Sequence, residues 1–500
     1  MPAAAVALSA VVLGITSCAG PPARPPQAHD PVAARTHLPL SATSVLAGAP
    51  DVVAAAVART LFASAPVVVV AGASHDAGLA AAASRARRAH APLLLASPRP
   101  GAGAGAQAAL RAGIRALGPG TVLADGAAGD ALAGQLPGVR VVTGPAGLPA
   151  TRAAAPLGHV VLLARQGDSS AATIAAITTA RAAGARVISV HGYDPRADPA
   201  AITALSAARP RRVLAVGAGF GPVSRLAYRL GVAVTGAQLP GGGQILFPGH
   251  RLVALYGHPG APALGALGQQ DLGASLARVK KAARLYRPLS IVPVVPAFEI
   301  IATVAEAHPG PDGSYSYQSP LSLLRPWVRR ATAAGMYVVL DLQAGRDSLL
   351  TQAKRYESLL ASPDVGLALD PEWKLQPQQR PLQQIGSVSA SEVNDVSRWL
   401  AGLTARHHLP QKLLVLHQFR LSMIGDESRL DTRHGDLAIV IHMDGQGSPR
   451  DKQRTWDAVT KAAPHGVFFG WKNFYAKDHP MLGPRDTMAR APEPVMISYQ

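Results

Sequence analysis

Apolar positions along the chain follow two regimes that change near residue 250. In the first half, short runs that are apolar throughout alternate with longer stretches of small residues at helical spacing. Val67–Gly72, Pro92–Ser97, Thr121–Gly126 and Val141–Gly144 form one series of expected strands, with helices over 77–89 and 105–117. A second series follows: Val160–Leu163, Val187–Val190, Arg212–Gly217 and Val232–Gly236, with helices over 170–184 and 199–208. Corresponding strands lie 90–94 residues apart, the near-constant period that a duplication leaves. Strands without a polar face are buried on both sides, so the pattern predicts two Rossmann-like parallel α/β repeat units, over 45–150 and 151–240.

The second half, 248–500, predicts a different α/β unit. Eight strand-like runs follow in order: Leu252–Tyr256, Ile291–Pro296, Met336–Leu340, Val365–Leu369, Lys412–Leu416, Leu437–Ile441, Gly466–Gly470 and Pro494–Ser498. Helical stretches at 271–286, 321–334, 347–361, 391–407 and 451–463 separate most of them. Eight strands alternating with helices over about 250 residues match a (β/α)8 TIM barrel, with an open doubly wound sheet as the alternative. The fold class is therefore α/β throughout, with Pro240-Gly241-Gly242-Gly243 as a natural hinge between the halves.

Composition sharpens this division. Residues 1–250 hold 20 Arg, no Lys and no Glu, whereas all five Trp lie after residue 250. The formal charge of +18 is accompanied by no recognition motif, so no nucleic-acid partner is expected. A single cysteine, Cys18, excludes an intrachain disulfide framework. It follows an apolar run, Ala3 to Ile15, of signal-peptide length and too short to span a bilayer. The segment Ile15-Thr16-Ser17-Cys18-Ala19-Gly20 resembles a bacterial lipobox. That resemblance implies a lipoprotein signal peptide over 1–18, lipidation of Cys18 and an extracytoplasmic chain held to the cell membrane by its lipid. Residues 19–44 then form a Pro-rich tether.

Chemistry gathers where the barrel strands end. The exits carry five carboxylates (Glu299, Asp341, Asp370, Glu372, Asp444) together with His417, Arg420, His442 and Lys472. The C-terminal mouth is where barrel enzymes place their reacting groups, and carboxylates at buried strand ends are costly as stability devices. Crowded carboxyls push each other's proton affinities apart, which leaves one as an acid and another as an ionised base or nucleophile, as glycosidic cleavage requires. On that reading Asp341, Glu299 or Asp444 is the base or nucleophile, His417, Arg420, His442 and Lys472 bind and position substrate, and Trp373, Trp471 and Tyr499 offer platforms for sugar rings. His442, Asp444 and Glu299 are the alternative as cation ligands. The chain has no HExxH or comparable spacing, so neither metal nor other cofactor is expected. It also lacks a nucleophile elbow for a serine hydrolase.

Three family resemblances bear on these units. The Val-rich strand to Ala71-Gly72, Ala91-Pro92-Leu93-Leu94-Leu95 and Ala116-Leu117-Gly118-Pro119-Gly120-Thr121-Val122 resemble the type 2 cell-wall-binding repeat of Gram-positive surface proteins, over 45–145 and more weakly 158–236. Gly366-Leu367-Ala368-Leu369-Asp370-Pro371-Glu372-Trp373 resembles the signature strand of chitinase-type glycosidases, with Val365 and Ala368 in place of two of its aspartates. It implies Glu372 as the acid on the leaving oxygen and Asp370 as the residue that orients it. As a whole the chain resembles an uncharacterised actinobacterial surface lipoprotein family, through Pro296-Ala297-Phe298-Glu299, Leu367–Trp373, Leu416-His417-Gln418-Phe419-Arg420 and Gly470-Trp471-Lys472-Asn473. The expectation is an envelope lipoprotein whose barrel hydrolyses cell-wall or surface polysaccharide. The alternative is a non-catalytic binding or scaffolding lipoprotein on the same partner.

Overall fold

The computed structural model describes residues 30–74, 77–96, 104–124, 126–132 and 134–500. The lipobox-like segment around Cys18 lies outside them. Among the described residues, no helix is long and apolar enough to cross a membrane.

Two four-stranded sheets make up the first half. One is ordered Leu93–Ala96, Val67–Gly72, Thr121–Ala124, Arg140–Val142, and the other Arg186–Val190, Val160–Arg165, Arg212–Val216, Thr43–Leu46, all pairs parallel. The last strand of the second sheet differs from expectation. Val232–Gly236 is not a strand: Val232 and Ala233 end the helix Val223–Ala233, where they continue the buried stripe begun by Leu226 and Leu230. An apolar run this short fits a helix face as well as a strand. Its place at the sheet edge goes to Thr43–Leu46, in register with Val213–Val216. Thr43 and Ser44 therefore belong to the sheet and not to the tether. The two sheets also share one core, in which Val57, Leu61 and Val70 pack with Leu162, Ala176 and Leu214. Across it, the Leu93 amide donates to Thr179 Oγ1 at 3.0 Å.

The expected hinge is a packed turn. Gly241, Gly242 and Gly243 take φ of 97°, 96° and 75°, which side chains rarely adopt. A Cβ on Gly241 would stand 2.7 Å from His250 Cδ2. Beyond the turn, Gln244 donates to the Val232 and Ala237 carbonyls, and Leu239, Leu246 and Phe247 close the bottom of the barrel.

The second half is a closed barrel of eight parallel strands. They are β1 (Arg251–Gly257), β2 (Val294–Ala305), β3 (Tyr337–Leu342), β4 (Val365–Leu369), β5 (Lys412–Gln418), β6 (Leu437–Met443), β7 (Phe468–Asn473) and β8 (Met496–Tyr499). Pairing of β1 with both β2 and β8 completes the ring. Every expected strand is present, but β2 lies later and is longer than Ile291–Pro296. Its apolar run continues through Ala305, interrupted only by the buried Glu299 and Thr303. Strand geometry sends alternate residues to opposite faces. Leu252, Ala254, Val295, Val339, Ala368, Val415 and Val440 fill the interior, while Leu255, Phe298, Leu340, Leu367 and Leu416 meet the surrounding helices.

Candidate active site

The same alternation selects the site. Continuing inward along each strand toward the mouth gives Tyr256 (β1), Glu299 (β2), Asp341 (β3), His417 (β5), His442 (β6), Lys472 (β7) and Ser498 (β8), with Asp370 and Asp444 one step past β4 and β6. All of these are buried. The residues converge from separate strands, which the linear order only suggested.

They form two layers. In the lower layer, His417 Nε2 lies 3.0 Å from Glu299 Oε1 and 3.8 Å from Asp341 Oδ1, while its Nδ1 faces Asp444 Oδ2 at 3.3 Å. Tyr256 donates to Asp341 Oδ2 at 2.9 Å and accepts from Gln343 Nε2 at 3.3 Å. His442 Nε2 and Ser498 Oγ are 3.2 Å apart. Burial alone would strip the His417 proton, but the charge of Glu299 and the bonds to Asp444 and Glu299 outweigh it, and the imidazole is held protonated well above its usual range. The adjacent His442 goes the other way: burial, then repulsion from His417 and Lys472, keeps it neutral. Burial pushes the Asp341 carboxyl up to about 6, against the pull of His417.

The upper layer opens into a cavity of about 370 Å³ at the mouth, lined by Asp370, Glu372, Asp444, Lys472, Lys477 and Trp373 among others. Its remaining walls include Leu264, Ile301, Phe419 and Phe474, apolar surface of the kind that meets sugar-ring faces. Glu372 is carried on the short 3₁₀ turn Pro371–Trp373, which Asp370 caps by accepting from the Glu372 amide at 3.2 Å. Gly386 backs that turn. Its amide donates to the Glu372 carbonyl at 2.8 Å, and a Cβ there would stand 2.6 Å from the carbonyl oxygens of Pro371 and Glu372.

These carboxyls are not equivalent. Burial raises Asp370 well above the carboxylate range, and the Asp341 charge adds to it. Burial and the facing Asp444 charge raise Glu372. Burial also works against ionised Asp444, but the bond and charge of His417, with Lys472, hold it below the usual range. One cavity thus presents a carboxyl biased toward keeping its proton and another biased toward losing it.

Five expected substrate contacts lie off the cavity: Trp471, Tyr499 and Arg420, together with His417 and His442. Trp471 and Tyr499 fall on the outward parity of β7 and β8: Trp471 packs on Trp456, and Tyr499 bonds Tyr286 Oη at 2.6 Å and stacks on Tyr475. Arg420 is exposed past β5, its guanidinium 5.9 Å from the Phe419 ring. Glu299, Asp341, His417 and His442 lie beneath the cavity and do not line it. Sequence reasoning missed Lys477 and Gly386, since neither ends an apolar run; Gln343 stands in the exit Asp341-Leu342-Gln343, where it carries no assigned role. Among the described residues, no three His, Cys, Asp or Glu side chains are grouped to hold a metal ion. No protein-family model matches the chain, and a search of curated proteins finds no match.

Proposed function

We propose that the barrel mouth hydrolyses glycosidic bonds of a cell-wall or surface polysaccharide. The observation carrying this reading is that Glu372 and Asp444 line one cavity while their surroundings shift their proton affinities in opposite directions. Glu372 gives its proton to the leaving oxygen as the bond to the anomeric carbon breaks. Asp444 meets that carbon's other side, as base toward water or as nucleophile, and Asp370 orients the acid through its bond to the Glu372 amide. Of the three expected bases, Asp444 is favoured because Glu299 and Asp341 are covered by the layer above them. The test is release of new reducing ends when the full chain meets purified wall and capsular glycans. Cleavage that survives Glu372→Gln unchanged, or saturable binding with no cleavage by wild type, overturns the reading.

Because Gly386 supports the Pro371–Trp373 turn, Gly386→Ala is expected to displace Glu372 and slow cleavage by about a hundredfold. Initial rates on a cleaved glycan, with circular dichroism to follow folding, check this.

The proposal extends to location. The pattern around Cys18 supports a lipid anchor on the extracytoplasmic face of the cell membrane, with the first half, resembling wall-binding repeats, lying along the wall. An alkyne-tagged fatty acid fed to cells should label wild type and not Cys18→Ser. Equal labelling of the two would refute the anchor.

A further inference from the structure

Three lysines are buried in the barrel, and they differ in how their charge is met. Lys412, at the bottom, donates to the carbonyls of Ser362 and Val365 at 2.8 Å each. Lys452 pairs with Asp478 and donates to the Lys472 carbonyl at 2.6 Å. Lys472 is equally enclosed, at 3% exposure, yet among the described residues its ammonium donates no hydrogen bond and has no carboxylate within 4 Å. It rests 3.5 Å from the centroid of the Tyr256 ring and borders the mouth cavity. Asp341 and Asp444 take bonds from Tyr256 and His417 and each keeps its Oδ1 unpartnered, but neither carboxylate lies within 4 Å of the Lys472 ammonium, whose charge reaches them only at longer range. Unlike the enclosed unpartnered oxygens of Asp341 and Asp444, the Lys472 ammonium keeps contact with the cavity, where the cation–π contact leaves it free to take an acceptor. The ammonium is thus placed to meet an acceptor carried by a ligand in the cavity.

We infer that the sugar bound in the mouth carries a carboxylate, which Lys472 receives from within the cavity while Lys477 attracts it at the rim. This deepens the glycan reading by naming the substrate class as an acidic, uronate-like polysaccharide. Carboxylate is favoured over phosphate on two grounds. Lys472 is a single point charge, without the forked guanidinium or helix N-terminus that suits a phosphate. Three carboxyls already border the cavity and would repel a dianion more than a monoanion.

The test measures binding to the full chain carrying Glu372→Gln, so that any cleaved ligand persists. Probes are galacturonate and glucuronate oligosaccharides, the same oligosaccharides with their carboxyls reduced to alcohols, and a hexose phosphate. The expected result is uronate binding about ten- to a hundredfold tighter than binding of the reduced form. That preference should vanish in Lys472→Met and return in part in Lys472→Arg. Should Lys472→Met not fold, the Glu372→Gln chain alone still decides, because uronate affinity should fall with added salt and that of the reduced form should not. Equal binding of uronate and reduced forms, binding of neither, or preference for the phosphate overturns the inference. Cleavage of neutral glycans with no uronate preference would leave the hydrolase reading standing. Selective uronate binding by a chain that cleaves nothing would sink the hydrolase reading and keep this one.

Discussion

Glycan cleavage is expected to show a pH maximum bounded by Asp444 on the acid side and Glu372 on the alkaline side. Glu372 acts while protonated. Burial and the Asp444 charge raise its proton affinity, so the alkaline limb should lie above the ordinary glutamate range. Asp444 acts while ionised. Its affinity is lowered against the effect of burial by the bond and charge of His417, so activity should fall only as pH drops below the ordinary aspartate range. Glu372→Gln removes the proton donor without changing the shape of the side chain. It should reduce the rate by about 10²–10⁴-fold and erase the alkaline limb. Asp444→Asn should erase the acid limb instead. Rates from about pH 3 to 9, read as kcat/KM, check both; an alkaline limb that survives Glu372→Gln assigns the acid elsewhere.

Replacement of His417 by leucine should lower stability by about 3–5 kcal/mol. Glu299 is fully enclosed and bonds His417 at 3.0 Å, so the substitution leaves a buried carboxylate without its partner. Removing both charges, as Glu299→Gln with His417→Leu, should recover most of the loss, because the penalty lies in the orphaned charge. The pH dependence has a definite sign. The proton affinity of His417 is raised by folding, so its stabilisation is complete below the histidine range of about 6.5 and is lost as pH rises through the higher folded value. The gap between wild type and variant should therefore narrow in alkali. Urea unfolding followed by tryptophan fluorescence reports on this directly, because all five tryptophans lie in the barrel half. The substitution also frees Asp444 from the proton that holds it ionised, so the acid limb of the rate profile should move upward in pH.

Much of this architecture was legible in the residues because burial on both faces leaves strands no polar positions except where they end. A polar residue that closes an apolar run therefore marks the mouth, and Asp341, Asp370, His417, His442 and Lys472 were found in this way. Parity is what that reading lacked. Trp471 stands beside Lys472 and Tyr499 beside Ser498, yet each pair divides between the inside of the ring and its helical jacket. Glu299 reads as an exit only while β2 is started too early; it sits inside the barrel, under the cavity. Gly386 left no trace in any pattern, since its role depends on a turn folded over it from elsewhere. Val232–Gly236 shows the opposite error: local apolarity matched a strand while Thr43–Leu46 held the edge.

That edge strand has a bearing on how the chain is made. Thr43–Leu46 leaves the ribosome early, and among the described residues its sheet partner is Arg212–Val216. Well over a hundred residues must be synthesised before the segment finds its neighbour, so the second sheet cannot be completed during early elongation. The proposed export of the chain would be served by that delay, because the general secretory channel passes only chains that have not yet folded.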